Sequence, residues 1–152
     1  MNTTGIVVFG HRRPHLLRQV LESLRRQGVL DRTHVWVDGI AHAKEILPQV
    51  EAVRALKQEF ATAGWVDCNG RLGIEKLMLD ALTDMARRYR DIVVLEDDCF
   101  PTADAIEVFC RVLDEVRDDR GIYSVYGNPF GFEGDARVFP RFQGWGWATT
   151  RD

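Results

Sequence analysis

The segment IVVLEDDCFP, residues 92–101, joins four apolar residues directly to three adjacent carboxylates. Its apolar half is typical of a buried strand, and its acidic half falls where that strand should end. Neighbouring carboxylates repel one another, and burying them costs free energy unless a positive charge or solvent compensates them. The segment therefore leaves two interpretations open: a metal-binding cluster, or the capped start of a helix that follows Pro101.

The overall composition is that of one ordinary globular domain. The chain has 152 residues, 45% of them hydrophobic, and a formal net charge of −3, which gives no general reason to expect nucleic acid or an anionic membrane as a partner. Three cysteines without CxxC spacing argue against a disulfide framework and a cysteine zinc site, so a reducing cytoplasm is expected. No apolar run approaches the roughly 20 residues that span a bilayer. We therefore predict a single domain over residues 1–152, cytoplasmic and without a membrane span.

Strand patterns and helix patterns alternate along the chain. Strands are predicted at 5–10, 33–38, 92–95 and 122–126, with a possible short strand at 65–67. Helices are predicted from 14 to a stop at Gly28, and at 46–60, 74–89 and 102–117, because apolar residues recur there at helical spacing. A further element could begin at 145–150. This order predicts an α/β layered fold with a mostly parallel central sheet and helices on both faces.

Polar residues follow three of the predicted strands. The first strand ends on Gly10, His11, Arg12 and Arg13, the second on Asp38, and the third on the acidic triplet. The carboxyl ends of parallel strands share one edge of a sheet, and ligands bind at that edge. Such a mixture of charges suits an anionic ligand held through a hard cation, and Mg²⁺ or Mn²⁺ takes one or two carboxylates together with phosphate oxygens. We expect a bound ion, and not a side chain, to supply the positive charge that the triplet lacks.

Each of these residues also has a plainer interpretation. Arg12 and Arg13 fit either phosphate recognition at a helix start or a solvated turn, and Asp38 fits either a ligand contact or the first position of an Asp-Gly turn. For the triplet alone, helix capping is favoured over a metal site. The signatures GxSxG, GxGxxG and the P-loop are absent from the sequence, which argues against the simplest nucleophile, dinucleotide and nucleoside-triphosphatase sites.

Four segments, in this order and spacing, resemble those of glycosyltransferases with the GT-A fold. They are IVVFGHRRPHLLRQVLESL (6–24), THVWVDG (33–39), NGRLGIEKLMLDAL (69–82) and IVVLEDDCFPTADAIEVF (92–109). The segment FPRFQGWGWATTRD (139–152) is similar to the Trp/Gly stretch that lines the sugar and acceptor side in that family. Among its branches, the sequence most resembles the one that contains N-acetylglucosaminyltransferase I and bacterial relatives.

The resemblance implies a role for each candidate site residue. It implies that Asp98 binds the divalent metal, Mn²⁺ or Mg²⁺, and that the other residues contact the nucleotide sugar. These are Gly10, His11 and Arg12 at the nucleotide, Asp38 at the base, Arg71 at the diphosphate, Glu96 and Asp97 at the ribose, donor sugar or metal-bound water, and Trp145 and Trp147 at a sugar ring. For the two tryptophans, a tight core turn between glycines is an equal alternative.

The resemblance also implies a reaction, the metal-dependent transfer of a sugar from a nucleoside diphosphate sugar to a hydroxyl of a glycan or other acceptor, with inversion. The family's general base lies in an acidic segment beyond the Trp/Gly stretch. Glu133, Asp135 and Asp152 cannot be matched to it, so no catalytic residue is assigned. We therefore expect a donor-binding part of a longer enzyme, with a truncated sheet edge that would favour self-association.

Two other functions remain open from the sequence. A sugar nucleotidylyltransferase would use a related α/β sheet, but that class begins with a GGxGxR loop, which GHRRPH at 10–15 matches poorly. A nucleotide-sugar-binding remnant or interaction module without catalysis would explain the shortness of the chain.

Overall fold

The computed structural model describes residues 4–40, 44–127, 142 and 144–151. Within them the strands are β1 (Thr4–Gly10), β2 (Thr33–Val37), β3 (Gly64–Asp67), β4 (Asp91–Glu96), β5 (Val125–Tyr126) and β6 (Trp147–Thr150). The helices are α1 (Pro14–Arg26), α2 (Leu47–Ala55), α3 (Ile74–Arg88) and α4 (Ala105–Val116). Short 3₁₀ turns occur at Leu30–Arg32, Lys44–Ile46 and Leu56–Gln58.

The strands form one sheet in the order β3-β2-β1-β4-β6-β5. β1 pairs in parallel with β2 on one side and β4 on the other, and β3 is parallel to β2. β6 runs antiparallel to both β4 and β5. Every residue of β1 is buried, as expected for a parallel strand covered on both faces. The predicted α/β fold with a mostly parallel sheet is confirmed.

Two apolar layers cover the two faces of the sheet. Ile6 and Val8 of β1 point into the larger layer, which α1, α2 and α4 close. Val7 and Phe9 point to the opposite side, where α3 packs through residues such as Leu77. Successive side chains of a strand face opposite ways, so a continuous apolar run supplies both layers at once. The central strands β1 and β4 are therefore covered on both faces.

Several element boundaries differ from those predicted. The helix predicted at 102–117 begins later, at Ala105, because Ser23 of α1 and Gln27 directly after α1 bind the carbonyls before it. Ser23 Oγ donates to Pro101 C=O at 2.6 Å and Gln27 Nε2 to Thr102 C=O at 2.8 Å. The helix predicted at 46–60 tightens into a 3₁₀ turn after Ala55, a common way for a last turn to end.

The strands after α4 are also shorter than predicted. The strand predicted at 122–126 is reduced to Val125–Tyr126, because the Ile122 N–H donates to the Asp119 carbonyl at 3.1 Å in a turn. The element expected at 145–150 is strand β6, which begins at Trp147. Most of the loop between β5 and β6, residues 128–141 and 143, lies outside the described residues.

Candidate functional site

The carboxyl ends of β1, β2 and β4 meet at one edge of the sheet. Phe9 pairs with Glu96 across β1 and β4, and Gly10 pairs with Val37 across β1 and β2. The Asp38 N–H extends this ladder by donating to the Gly10 carbonyl at 2.9 Å. Three strand ends that are distant in sequence are therefore adjacent. We use the term carboxyl edge for these three strand ends together with the turns that follow them.

Arg13 supplies a positive charge to the acidic triplet. Its guanidinium donates to both carboxylate oxygens of Asp97, through Nη2 to Oδ1 and through Nε to Oδ2 at 3.2 Å, and through Nη1 to Asp98 Oδ2 at 2.9 Å. The expectation that no side chain compensates the triplet is therefore wrong. Arg12, the arginine assigned to the nucleotide from the sequence, is exposed on the same turn.

The turn that carries Arg13 is held by its own backbone. Arg13 precedes the first residue of α1, Pro14, whose fixed φ suits a helix start. The Arg13 carbonyl accepts from the N–H groups of Leu16 and Leu17 at 3.2 and 3.1 Å. Gly10 is buried before this turn, and a Cβ there would lie 3.0 Å from Leu17 Cδ2. His11, between them, is half-buried, and its Nε2 has no hydrogen-bond partner within the described part of the chain.

The carboxyl edge keeps a surplus of negative charge despite Arg13. Burial raises the pKa of Glu96, and the negative charges of Asp98 and Asp97 raise it further, while Arg13 offsets only part of this effect. The pKa of Arg13 is raised chiefly by its hydrogen bond to Asp97. Three carboxylates thus share one guanidinium, and an additional cation would be stabilised here.

The chemistry of these side chains suits Mg²⁺ or Mn²⁺ bound together with phosphate. Asp97 is 4% exposed and both its oxygens bind Arg13, whereas the Asp98 side chain is 45% exposed and binds Arg13 through Oδ2. Among the described residues, no group of three or more His, Cys, Asp and Glu side chains is arranged to hold a metal by itself. The edge therefore offers one or two carboxylate ligands, which is the number that Mg²⁺ commonly takes beside substrate phosphates.

Asp38 holds the loop that joins β3 to α3. Its Oδ1 accepts the N–H groups of Gly39 and Leu72 at 3.0 and 2.8 Å, and its Oδ2 accepts that of Gly73 at 3.2 Å. This brings the 69–73 loop to the carboxyl edge beside the end of β2. Arg71, the residue assigned to the diphosphate, lies exposed on this loop.

The two tryptophans have different environments. Trp147 is 7% exposed and belongs to the α3-side apolar layer, where its ring meets that of Phe142 at 5.0 Å between centroids. The core alternative therefore describes Trp147, whose ring is covered. Trp145 is 59% exposed and lines a cavity of about 480 Å³ that also reaches Asp98, Phe100 and Phe109.

The sequence did not predict the pairing of Arg13 with Asp97 and Asp98, or the place of Phe100 in the lining of the cavity. The sequence signal for Arg13 was its position directly before Pro14, which fixes its place at a helix start next to a strand end. The choice between Arg12 and Arg13 depends on which side of the turn faces β4, and this becomes visible only when the strands pair. Phe100 lies two residues after Asp98 and is 49% exposed, but exposure cannot be read from the sequence.

Comparison with solved structures finds the same fold in enzymes that handle nucleotides. A cytidylyltransferase from Leptospira borgpetersenii matches with a TM-score of 0.61 and 14% identity, over 99% of this chain and 61% of that one. The mannosyltransferase PcManGT from Pyrobaculum calidifontis, in complex with GDP-Man and Mn²⁺, matches with a TM-score of 0.62 and 19% identity, over 97% and 44%. A 4-diphosphocytidyl-2C-methyl-D-erythritol synthase from Anaerococcus prevotii matches with a TM-score of 0.60 and 8% identity, over 98% and 71%.

These likenesses establish the fold. No family model and no curated protein matches the sequence. The chain spans between 44% and 71% of the length of the three solved chains. A search of the described residues finds no helix that is both long and apolar enough to cross a membrane. The protein has the mixed α/β, Rossmann-like fold found in nucleotide-sugar transferases and cytidylyltransferases.

Proposed function

We propose that this protein is a metal-dependent glycosyltransferase of the GT-A type, or the donor-binding part of one, that transfers a sugar from a nucleoside diphosphate sugar to an acceptor hydroxyl with inversion. The observation that carries the proposal is the exposed carboxylate of Asp98. It lies in the turn that follows β4, where it binds Arg13 of the β1–α1 turn. The sequence resemblance to the N-acetylglucosaminyltransferase I branch and the Mn²⁺ and GDP-Man of the mannosyltransferase neighbour support it.

The carboxylates provide the metal-facing side of the proposed site. Asp98 and Glu96 would hold Mn²⁺ or Mg²⁺ together with diphosphate oxygens, and the ion would stabilise the negative charge of the leaving diphosphate. Asp97 is proposed to take no direct part in metal binding, because its side chain is buried and both of its oxygens bind Arg13. It is instead proposed to fix the turn between β4 and α4 on which Asp98 lies.

The remaining residues form the nucleotide-facing side. Gly10 packs closely against Leu17 of α1, and His11 and Arg12 follow just before α1, where the positive end of the helix dipole favours phosphate. Arg71 faces the diphosphate from the loop that Asp38 holds. A sugar ring is proposed to stack on Trp145, at the mouth of the cavity that reaches Asp98.

The acceptor is a glycan or another compound with a free hydroxyl, and the chain works in the cytoplasm, alone or as a homo-oligomer. The general base that would take the proton of that hydroxyl is not assigned. Its acidic candidates Glu133, Asp135 and Asp152 lie outside the described residues.

A nucleotidylyltransferase is the second candidate function. Two of the three compared structures belong to this class or to cytidyl transfer, with TM-scores of 0.61 and 0.60. The turn after β1 opposes it, because it carries HRRP where that class has a glycine-rich loop. A binding module without catalysis is the third candidate, and it would retain the same nucleotide contacts.

A thermal-shift screen of UDP, GDP and CDP and their sugars, with and without Mn²⁺, tests the proposal. Binding at 100 times the dissociation constant adds about 2.7 kcal/mol, which is a rise in Tm of about 5–10 °C for a domain of this size. We expect one nucleotide to give this rise with Mn²⁺, and Asp98→Asn to abolish the dependence on Mn²⁺.

A matched control and a product assay complete the experiment. Asp104→Asn changes another exposed carboxylate, which contacts Thr102 at the start of α4, and should leave the Mn²⁺ dependence intact. Release of free nucleoside diphosphate from the donor sugar is expected of a transferase. Formation of a nucleoside triphosphate from the sugar nucleotide and pyrophosphate would instead identify the nucleotidylyltransferase. An unchanged Mn²⁺ dependence in Asp98→Asn would refute the metal role of Asp98.

A further inference from the structure

The carboxylate of Asp38 is almost fully used by the backbone. Each carboxylate oxygen can accept two hydrogen bonds. Oδ1 has both of its donors, the N–H groups of Gly39 and Leu72, and Oδ2 has one, the N–H of Gly73. Asp38 is also only 6% exposed. A nucleotide base could thus reach at most one remaining acceptor position, on a residue that is nearly covered.

Gly39 gives a second, independent sign that the loop is pressed against the end of β2. A Cβ on Gly39 would lie 2.5 Å from the Cys68 carbonyl oxygen and 2.7 Å from that of Gly70. Both neighbours are backbone atoms, so the conflict cannot be relieved by turning a side chain. The Cys68 N–H also donates to the Val37 carbonyl at 3.0 Å. The loop is therefore fixed on both sides of Asp38.

The same residue joins this loop to the β1–α1 turn. The Asp38 N–H donates to the Gly10 carbonyl, the last residue of β1, while its side chain holds Leu72 and Gly73. Arg71 precedes Leu72 directly and its side chain is exposed. The place of Arg71 at the carboxyl edge is thus set by Asp38.

We propose that Asp38 is a positioning residue that presents Arg71 to the diphosphate by holding the 69–73 loop, and that it does not read the nucleotide base. This inference rests on the proposed function for the ligand, and on the structure alone for the loop. Its consequence is that Asp38 affects the affinity for all nucleoside diphosphates equally. Selectivity among bases is then set elsewhere at the carboxyl edge.

Hydrogen exchange tests the loop without any ligand. In the wild-type chain, the amides of Leu72 and Gly73 should exchange slowly although they lie in a loop, because both are bonded to a buried carboxylate. Asp38→Asn replaces one acceptor by a donor that faces these amides, and their exchange should become at least about tenfold faster. Asp67→Asn, at the end of the next strand, makes the same change on an exposed residue that binds Trp65 Nε1, and should leave both amides protected.

Nucleoside diphosphate affinities with Mn²⁺ test the function of the loop. Asp38→Asn should weaken UDP, GDP and CDP by one common factor of about tenfold, the cost of an unordered loop. Gly39→Ala should do the same while leaving the carboxylate in place. Arg71→Gln should add little to Asp38→Asn, because the second change acts on an arginine that is already misplaced.

The outcomes separate the inference from the proposed function. A changed ranking of the three nucleotides in Asp38→Asn, or full additivity with Arg71→Gln, would overturn the positioning role. Fast exchange of the Leu72 and Gly73 amides in the wild type would overturn it as well, even if Asp38→Asn failed to fold. If the amides are protected but the chain binds none of the nucleotides, the contact between Asp38 and the loop is confirmed. The proposed donor site is then wrong, and so is the role of Asp38 in that site.

Discussion

Arg13 binds two residues that are distant from it in the sequence, Asp97 at a separation of 84 residues and Asp98 at a separation of 85. Its two contacts are unequal. The Asp97 side chain is 6% exposed and takes a two-bond fork, whereas the Asp98 side chain is 45% exposed and takes one bond. An ion pair becomes stronger as water is excluded from it, so the contact of Arg13 with the buried Asp97 stabilises the fold. The contact with the exposed Asp98 is weaker, and another cation can replace it.

We expect Arg13→Gln to lower the free energy of unfolding by about 2 kcal/mol, because it leaves the buried carboxylate of Asp97 without its partner. The loss is smaller than for a fully buried pair, since the Arg13 side chain is 42% exposed. Urea unfolding measures it. Adding Asp97→Asn should recover part of the loss, because no unpaired charge then remains buried.

Arg18→Gln provides the control for this prediction. Arg18 lies on the same helix and also pairs with a carboxylate, that of Glu59, but both partners are exposed. Exposed pairs contribute little, so the unfolding midpoint should hardly change. Equal losses for Arg13→Gln and Arg18→Gln would show that the Asp97 contact has no special role in stability.

At the scale of elements, the start of α4 shows what a local pattern misses. Helical spacing predicts a start at Thr102, and the structure starts the helix at Ala105. The reason lies at the C-terminal end of α1, where the side chain of the capping residue Gln27 donates to the Thr102 carbonyl and accepts the Ile106 N–H at 3.1 Å. A residue of another helix thus performs the capping role that the sequence interpretation gave to the acidic triplet.

Gln27→Ala should therefore destabilise the start of α4. It removes the partner of the Ile106 N–H, one of the free donors of a helix start, and loss of such a cap costs about 1 kcal/mol. The free energy of unfolding and the exchange of the Ile106 amide measure the effect. Gln19→Ala, on the exposed face of α1, should leave both unchanged. Equal protection of Ile106 in both variants would contradict the capping role.

The elements that could be predicted are those in which the spacing of apolar residues in the sequence matches the spacing of buried residues in the structure. β1, β4 and α1 are long enough for an apolar period to identify them, and their bounds are close to those predicted. β5 and β6 are two and four residues long, and their pairing joins segments with a long intervening loop. No local period could reveal that β6 lies antiparallel to β4.

At the scale of the whole molecule, the order of strands explains why the candidate site could be predicted in part. Parallel pairing of β1 with β2 and β4 places Gly10, Asp38 and Glu96 at one edge, and this follows from alternating strands and helices alone. Which side chains pair with one another depends on distances of a few ångströms. The sequence therefore identified the edge, but not the pairing of Arg13 with Asp97 or the use of Asp38 by a loop.

A buried histidine at the end of the sheet opposite the carboxyl edge should make the stability of the whole molecule depend on pH. His34 of β2 is 5% exposed, its Nε2 lies 3.0 Å from the Tyr89 hydroxyl, and burial followed by the charge of Arg88 lowers its pKa, with Asp84 opposing. The folded state then binds fewer protons than the unfolded state. Stability is present above pH about 6.5 and is lost as the pH falls below it, by up to about 1.4 kcal/mol per pH unit.

Urea unfolding between pH 7.5 and 5.5 should show a smaller decrease for His34→Gln than for the wild type, whereas His15→Gln, exposed on α1, should match the wild type. An unchanged pH dependence in His34→Gln would contradict this.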